Sequence, residues 1–229
     1  MKLILFDLDG TLADSLQDLA DSCNYALQQN GFPTHPVEDY RYLVGQGVDR
    51  LLLDASPKHA HGAQQQAALK QSFRQYYHRH FLDSTRLYPG IPAMLETLRR
   101  TGYQMGLLSN KPDAFVALIV EALSLSPYLD AYAGQRDGIA RKPDPTAALQ
   151  MMTQLGCSAA DTCYVGDSNV DIQTAQNAGI RSIGVSWGFR GRAELEQSGA
   201  DDVVDTPAQL TTLLTSIFTP QSKENPHAD

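Results

Sequence analysis

The alternation of short apolar runs with amphipathic segments predicts a protein of mixed α and β structure. The run Leu3-Ile4-Leu5-Phe6 has the length of a strand and carries no polar residue, which is typical of a strand buried on both faces. Further short apolar runs follow in the second half of the chain, and segments with helical spacing of apolar residues separate them. Strands that alternate with helices indicate a parallel sheet with helices on both faces.

The predicted strands are Leu3–Phe6, Gln104–Leu108, Ala131–Ala133, Thr162–Val165, Ser182–Val185 and Asp202–Val204. The helices predicted between the later strands are Ile91–Arg100, Asp113–Leu123, Pro145–Leu155, Val170–Ala178 and Ala193–Gln197. No element is assigned after Val204. This order predicts an α/β fold with a doubly wound, Rossmann-like parallel sheet.

The stretch from Ser15 to Thr85 is helical in pattern and contains no convincing strand. Ser15 and Asp18 fit a capping box at the start of a helix that ends at Gly31. Because this stretch lies between the first strand and the next, we expect it to be a helical cap inserted into the core.

The predicted domains are therefore a core made of residues 1–14 and 86–218 and a cap made of residues 15–85. The polar residues 219–229 are expected to form a flexible tail.

Composition narrows the classes of function. The chain has 229 residues, of which 42% are hydrophobic, as in soluble globular proteins. Its net charge of −8 argues against a nucleic-acid-binding surface, which needs clustered Lys and Arg. No apolar run is long enough for a membrane span or a signal peptide. The three cysteines show no paired spacing, as expected for reduced thiols. We expect a cytoplasmic protein, a monomer or homodimer, that acts on a small molecule rather than on nucleic acid or membranes.

The strongest candidate for chemistry is the segment Asp7-Leu8-Asp9-Gly10-Thr11-Leu12, which directly follows the first strand. Carboxylates at positions i and i+2 of an extended segment point the same way. The carboxyl ends of strands are where open α/β sheets bind ligands. An ordinary turn is the alternative for this segment taken alone, since Asp and Gly are common turn residues.

Three more polar clusters lie after predicted strands or in loops of the same core. They are Ser109-Asn110-Lys111, Arg141-Lys142-Pro143 and Gly166-Asp167-Ser168-Asn169-Val170-Asp171. Each cluster alone is also compatible with a turn or a helix cap. Together they predict that acids, a hydroxyl and a cation meet at one edge of one sheet.

In these four motifs the chain resembles the phosphatases of the haloacid dehalogenase superfamily. The match covers the core, the predicted cap lies where that family carries one, and Trp187-Gly188-Phe189 adds similarity to the phosphoglycolate-phosphatase-like branch. The resemblance implies hydrolysis of a small phosphomonoester through an aspartyl-phosphate. It favours 2-phosphoglycolate as the substrate.

The resemblance also implies roles for individual residues. Asp7 would be the nucleophile and Asp9 the general acid and base. Ser109 and Asn110 would bind phosphoryl oxygens, and Lys142 would balance their charge.

A metal ion is expected at the same place. The resemblance implies that Asp7, the backbone carbonyl of Asp9 and Asp167 bind Mg²⁺ and that Asp171 supports that shell. The motifs contribute up to four negative charges against one from Lys142, so a phosphate dianion would be repelled without a divalent cation.

Asp9 argues against a dehalogenase, because that reaction has no alcohol leaving group that a second acid would protonate. Three alternatives remain open: a sugar phosphomutase, a pyrophosphatase or nucleotidase, and a non-catalytic binding protein.

Further residues are candidates for binding the part of the substrate beyond the phosphate. Lys111 could reach a substrate carboxylate. Gly45 and Gly47 belong to a loop that could face the site, and Arg41 and Arg50, which flank this loop, are candidates for binding an anionic group of the substrate.

Overall fold

The structure is a computed structural model that describes residues 2–218. The prediction of a flexible tail at residues 219–229 lies outside the described residues. Within that range the strands are β1 (Leu3–Phe6), β2 (Ala13–Asp14), β3 (Arg86–Leu87), β4 (Gln104–Pro112), β5 (Ala131–Gln135), β6 (Thr162–Gly166), β7 (Arg181–Val185) and β8 (Asp202–Val204). The helices are α1 (Leu16–Gln29), α2 (Tyr40–Leu43), α3 (Val48–Ala55), α4 (Ala63–His80), α5 (Ile91–Thr101), α6 (Asp113–Ala122), α7 (Thr146–Gln154), α8 (Asn169–Ala178), α9 (Arg192–Gln197) and α10 (Pro207–Phe218).

The central sheet confirms the predicted fold class. Six parallel strands of the described chain lie in the order β5-β4-β1-β6-β7-β8. The chain builds outward from β1 to one side and then crosses to the other side, so β1 lies at the switch point between β4 and β6. Ligands bind at this point of a doubly wound sheet.

The sheet is covered on both faces because side chains of β1 alternate between two apolar clusters. Ile4 and Phe6 belong to a cluster that includes α5, α6 and α10. Leu3 and Leu5 belong to a second cluster, with α7 and α8. All four side chains are fully buried, which explains why this strand is apolar at every position.

The helical insertion has its own apolar cluster, built from α1, α2, α3 and α4 and joined by Phe189 of the core. The two-residue strands β2 and β3 pair antiparallel, with Ala13 opposite Leu87 and Asp14 opposite Arg86. This ladder lies where the chain leaves the sheet and where it returns. The domain boundaries at residues 14/15 and 85/86 remain predictions, and the ladder lies beside both of them.

Three local features differ from the sequence expectations. Strand β4 continues to Pro112, four residues beyond the predicted end, through a register irregularity after Leu108. Helix α10 was not predicted. The capping box at Ser15 is wrong: the Ser15 side chain makes no cap hydrogen bond, and Asp18 accepts bonds from Ser84 and Thr85 at the end of the insertion instead.

No helix within residues 2–218 has both the length and the apolarity needed to cross a membrane.

Candidate active site

The sheet register brings the predicted catalytic groups to one edge. Phe6 pairs with Leu107 of β4 on one side and with Val165 of β6 on the other. Asp7 therefore leaves the sheet beside the stretch that holds Ser109 and beside the turn that holds Asp167. Positions far apart in the sequence meet here because parallel neighbours end at the same edge.

Lys142 lies at the centre of the buried charges. Its Nζ atom is 2.9 Å from Asp7 Oδ1 and 2.7 Å from Asp171 Oδ1, and it donates to the Tyr164 hydroxyl at 3.0 Å. Burial disfavours its charge, but the carboxylates of Asp171 and Asp7 hold the pKa of Lys142 well above its usual value. The ammonium group is therefore positively charged beside Asp7.

Asp9 is held by a second buried lysine. Lys111 Nζ donates to both carboxylate oxygens of Asp9, at 2.7 and 2.8 Å, and the Ser15 hydroxyl donates to Oδ1 at 2.5 Å. Lys111 is only 6% exposed. Two buried cations, Lys111 and Lys142, thus lie among the four motif carboxylates, whereas the charge count from the sequence included only Lys142.

Glycines leave the space that Asp167 occupies. A Cβ on Gly10, whose φ is +85°, would lie 2.2 Å from Asp167 Oδ2. A Cβ on Gly188 would lie 2.3 Å from both the Gly10 carbonyl and Asp167 Cβ. The backbone N–H of Phe189 donates to Asp167 Oδ2 at 2.7 Å. Side chains larger than hydrogen at these two positions would displace the carboxylate.

The carboxylates of Asp7, Asp167 and Asp171 form one compact acidic group, in which one oxygen from each lies within 4.8 Å of the others. Burial raises the pKa of Asp7 to about 7, with Lys142 opposing the shift and Asp171 and Asp9 adding to it. Burial and the charges of Asp171 and Asp7 raise the pKa of Asp167 well above its usual value. The protein alone therefore leaves this group with unfavourable negative charge.

These features suit a hard divalent cation. All donors are oxygen atoms, and Mg²⁺ prefers carboxylate and carbonyl oxygen. Both Asp171 oxygens are already engaged, by Lys142 and by the backbone and hydroxyl of Ser168. Asp7 contacts Lys142 and the Leu8 N–H through Oδ1, and Asp167 Oδ1 accepts only a 3.5 Å bond from the Thr11 hydroxyl. Asp7 and Asp167 therefore each keep an oxygen for a direct metal bond, whereas Asp171 holds Lys142 and the turn in position.

Ser109 and Asn110 differ in what they offer a substrate. Ser109 lines the cavity beside Asp7, and its hydroxyl accepts only a 3.2 Å bond from the Lys111 backbone. The Asn110 side chain instead bonds to the backbone N–H and carbonyl of Lys142, at 2.8 and 3.0 Å, and to the Gly45 carbonyl at 3.0 Å. The sequence analysis expected Asn110 to bind a phosphoryl oxygen. To do so with its side-chain amide, Asn110 would have to give up one of these hydrogen bonds.

The cavity above these residues has a volume of about 390 Å³, and it lies between the sheet edge and the helical insertion. Gly45 and Gly47 line it, as expected for that loop. Three contacts tie the insertion to the core around the cavity: Asn110 to Gly45, Arg190 to the carbonyls of Tyr42 and Val44, and Arg141 to Asp49. The described structure therefore has the insertion in contact with the site.

The structure does not bring Arg41 or Arg50 to the cavity. Both side chains are exposed, neither lines the cavity, and Arg50 pairs with Asp54 at 2.6 Å along its own helix. The helical period explains the difference, because Val48 and Leu51 on α3 face the cavity while Arg50 points away from it. The prediction that these two arginines clamp the substrate does not agree with their positions.

Other residues line or support the site that the sequence analysis did not select. They are Ser15, Lys70, Arg74, Tyr77, Arg136, Tyr164 and Arg190. Tyr164 could have been found from the sequence, since it carries a hydroxyl group in the middle of a short, mostly apolar strand. Lys70 and Arg74 on α4 could not have been selected from the sequence, because charged residues on an exposed helix face are usual.

Comparison with known proteins agrees with this geometry. The model of the family of haloacid dehalogenase-like hydrolases matches residues 4–185. A phosphoglycolate phosphatase of Pseudomonas syringae pv. tomato is 34% identical over 98% of this chain and 87% of its own length. One of Yersinia pestis is 33% identical over 96% of this chain and 95% of its own length.

A solved structure of a predicted phosphoglycolate phosphatase from Haemophilus somnus superposes with a TM-score of 0.87. It is 30% identical, and the superposition covers 93% of this chain and 98% of that one. The chain therefore belongs to the haloacid dehalogenase-like hydrolase family, as a phosphatase of that family.

Proposed function

We propose that the protein is a Mg²⁺-dependent phosphatase that hydrolyses 2-phosphoglycolate through an aspartyl-phosphate on Asp7. The observation that carries the proposal is the contact of Lys142 with Asp7 inside the Asp7, Asp167 and Asp171 group. This contact supports the proposal, because a carboxylate that attacks phosphorus benefits from a fixed cation beside it and the three carboxylates offer oxygen ligands for a metal ion. The small cavity with several cations and the names of the relatives support an acidic substrate of this size.

The first half of the reaction transfers the phosphoryl group to the enzyme. A carboxylate oxygen of Asp7 attacks phosphorus, and the bond from phosphorus to the ester oxygen breaks. Asp9 gives its proton to that oxygen, so glycolate leaves as an alcohol. Lys142 and Ser109 stabilise the charge on the transferring oxygens. A Mg²⁺ ion held by Asp7 and Asp167 would supply further charge neutralisation.

The second half restores the enzyme. Asp9, now a carboxylate, accepts a proton from the water that attacks phosphorus, and the bond to Asp7 breaks as phosphate is released. The contacts of Lys111 and Ser15 hold the Asp9 carboxylate in place. Contact of the cap with the core would exclude bulk water during both steps.

The test of this proposal is phosphate release from a panel of phosphate esters with Mg²⁺ and with a chelator. The panel contains 2-phosphoglycolate, ethyl phosphate, hexose phosphates, nucleotides and pyrophosphate. We expect the highest kcat/KM for 2-phosphoglycolate and loss of turnover with the chelator. Preference for a nucleotide or pyrophosphate would replace the proposed substrate, and conversion of a hexose phosphate into its isomer would indicate a mutase.

The general-acid role of Asp9 predicts an effect that depends on the leaving group. Asp9→Asn should lower kcat/KM for 2-phosphoglycolate by about 10²- to 10⁴-fold. It should cost much less with nitrophenyl phosphate, whose leaving group needs little protonation. The variants are compared on both substrates at one pH. Equal losses on the two substrates would contradict the assignment.

Metal binding predicts a pH-dependent gain in thermal stability. Between about pH 4 and pH 7, without metal, Asp7 is more fully protonated in the native protein than in the unfolded chain, because its pKa is raised from 3.8 to about 7. The contribution of Asp7 to the free energy of unfolding therefore falls across this interval as the pH rises. A cation needs the ionised carboxylates, so Mg²⁺ should raise the Tm more at pH 8 than at pH 5.

The measurement is the melting temperature at both pH values with and without Mg²⁺. A concentration near 100 times Kd would add about 2.7 kcal/mol to the free energy of unfolding. Asp167→Asn is the control, since it removes a proposed ligand and should abolish the shift. A Mg²⁺ shift of the same size in Asp167→Asn would place the metal elsewhere.

A further inference from the structure

One buried hydroxyl group in the cavity lacks a partner. Tyr77 lies on α4 and is 1% exposed, and within residues 2–218 its Oη atom is the buried side-chain nitrogen or oxygen that has no hydrogen-bond partner. Buried polar groups in native proteins are almost always hydrogen-bonded. Because Tyr77 lines the catalytic cavity, the missing partner points to a bound ligand.

The Tyr77 ring is held firmly, so the hydroxyl position is well defined. The ring stacks on Phe73 of the same helix, with centroids 5.4 Å apart, and meets the edge of Phe115 of α6 at 4.9 Å. Aromatic pairs of this kind restrict the ring beyond simple burial. Burial also raises the pKa of Tyr77 to about 12, so the hydroxyl is a neutral donor at working pH.

Lys111 provides a cation at the same place. Its Nζ atom lies 5.2 Å from the centroid of the Tyr77 ring, and two of its contacts go to the oxygens of Asp9. An ammonium group has three N–H donors. The remaining donor lies near the Tyr77 hydroxyl, and the two groups influence each other's pKa, but they make no well-formed hydrogen bond. A ligand oxygen between them could accept hydrogen bonds from both.

We propose that the Tyr77 hydroxyl and the third N–H of Lys111 together bind the carboxylate of the substrate. This subsite rests on the proposed function and names the residues that recognise the acid. In 2-phosphoglycolate a single methylene separates the ester oxygen from the carboxylate. An acid whose ester oxygen is protonated by Asp9 therefore has its carboxylate within reach of the lysine that contacts Asp9.

The subsite also joins the two parts of the protein. Tyr77 belongs to the helical insertion and Lys111 to strand β4 of the core. A carboxylate that accepts hydrogen bonds from both would favour contact between them, whereas an ester without this group would not. Selection of the substrate and closure of the cavity then depend on the same two donors.

Tyr77→Phe tests the proposal because it removes only the hydroxyl. We expect the ratio of kcat/KM for 2-phosphoglycolate to that for ethyl phosphate to fall about 10- to 100-fold, the loss of one hydrogen bond to a charged group. Most of the change should be in KM, since the bond is made in the ground state as well. The melting temperature should stay the same or rise, because the hydroxyl has no protein partner to lose.

Tyr76→Phe is the matched control. Tyr76 precedes Tyr77 on α4, stacks on Tyr25 and His80, and does not line the cavity. Tyr76→Phe should leave kcat/KM unchanged for both substrates. An unchanged ratio in Tyr77→Phe, with a wild type that prefers 2-phosphoglycolate, would overturn the subsite alone. A wild type without that preference would overturn the proposed substrate and the subsite with it.

Discussion

Asp7→Asn is expected to lower kcat by at least about 10⁴-fold, as removal of a nucleophile does in other enzymes that form covalent intermediates. The amide has nearly the shape of the carboxylate but cannot attack phosphorus. Lys142 keeps Asp171 and Tyr164 as partners, and a buried carboxylate with a raised pKa is removed. We therefore expect a folded protein whose melting temperature does not fall.

The measurement is phosphate release at saturating 2-phosphoglycolate, with the Tm as the check of folding. Asp14→Asn is the control, because Asp14 is an exposed acid on β2 that does not line the cavity. It should have wild-type activity. Turnover near that of the wild type in Asp7→Asn would show that another group attacks phosphorus.

Lys142→Met should affect both stability and activity. It leaves Asp7 and Asp171 without the cation that contacts both. Breaking a buried ion pair from one side costs about 3–5 kcal/mol, which corresponds to a Tm lower by roughly 10 °C for a protein of this size. Loss of a charge fixed beside the transferring group should lower kcat by about 10²- to 10³-fold.

Two comparisons separate these effects. In the double variant Lys142→Met, Asp171→Asn, the Asp171 carboxylate that Lys142→Met leaves unpaired is removed as well. The Tm should therefore recover in part, while kcat stays low. Lys2→Met removes a lysine from the partly exposed ion pair with Asp161 and should cost less than about 1 kcal/mol. A Lys142→Met protein as stable as the Lys2→Met protein would contradict the central position of this lysine.

Local patterns along the chain were sufficient for the fold class. Leu3–Phe6 is apolar at every position because both faces of β1 are covered, and this leaves a clear signal in the sequence. The same signal located Asp7, because a polar residue that follows such a strand lies at the carboxyl end of the sheet. Helix α10 was missed although its apolar positions Leu210 and Leu214 have helical spacing and are fully buried.

Local patterns failed where side chains find partners far along the chain. Ser15 and Asp18 fit a capping box, yet tertiary contacts with Asp9 and Thr85 replace it. The irregularity in β4 could not be predicted, although it lies at Ser109, Asn110 and Lys111. A register shift changes the direction of the side chains that follow it, as β-bulges near active sites do, and its position depends on the neighbouring strand.

The sequence by itself determined the parallel sheet, the inserted helices and the four polar motifs at strand ends, because these follow from periodicity and chain order. Only the tertiary structure decided that Lys111 pairs with Asp9, 102 residues away, that the Asn110 amide binds backbone groups, and that Tyr77 rather than Arg41 or Arg50 lines the cavity. These outcomes depend on how the insertion packs on the core. Periodicity shows which face of a helix is buried, but it does not show which residue of another element that face meets.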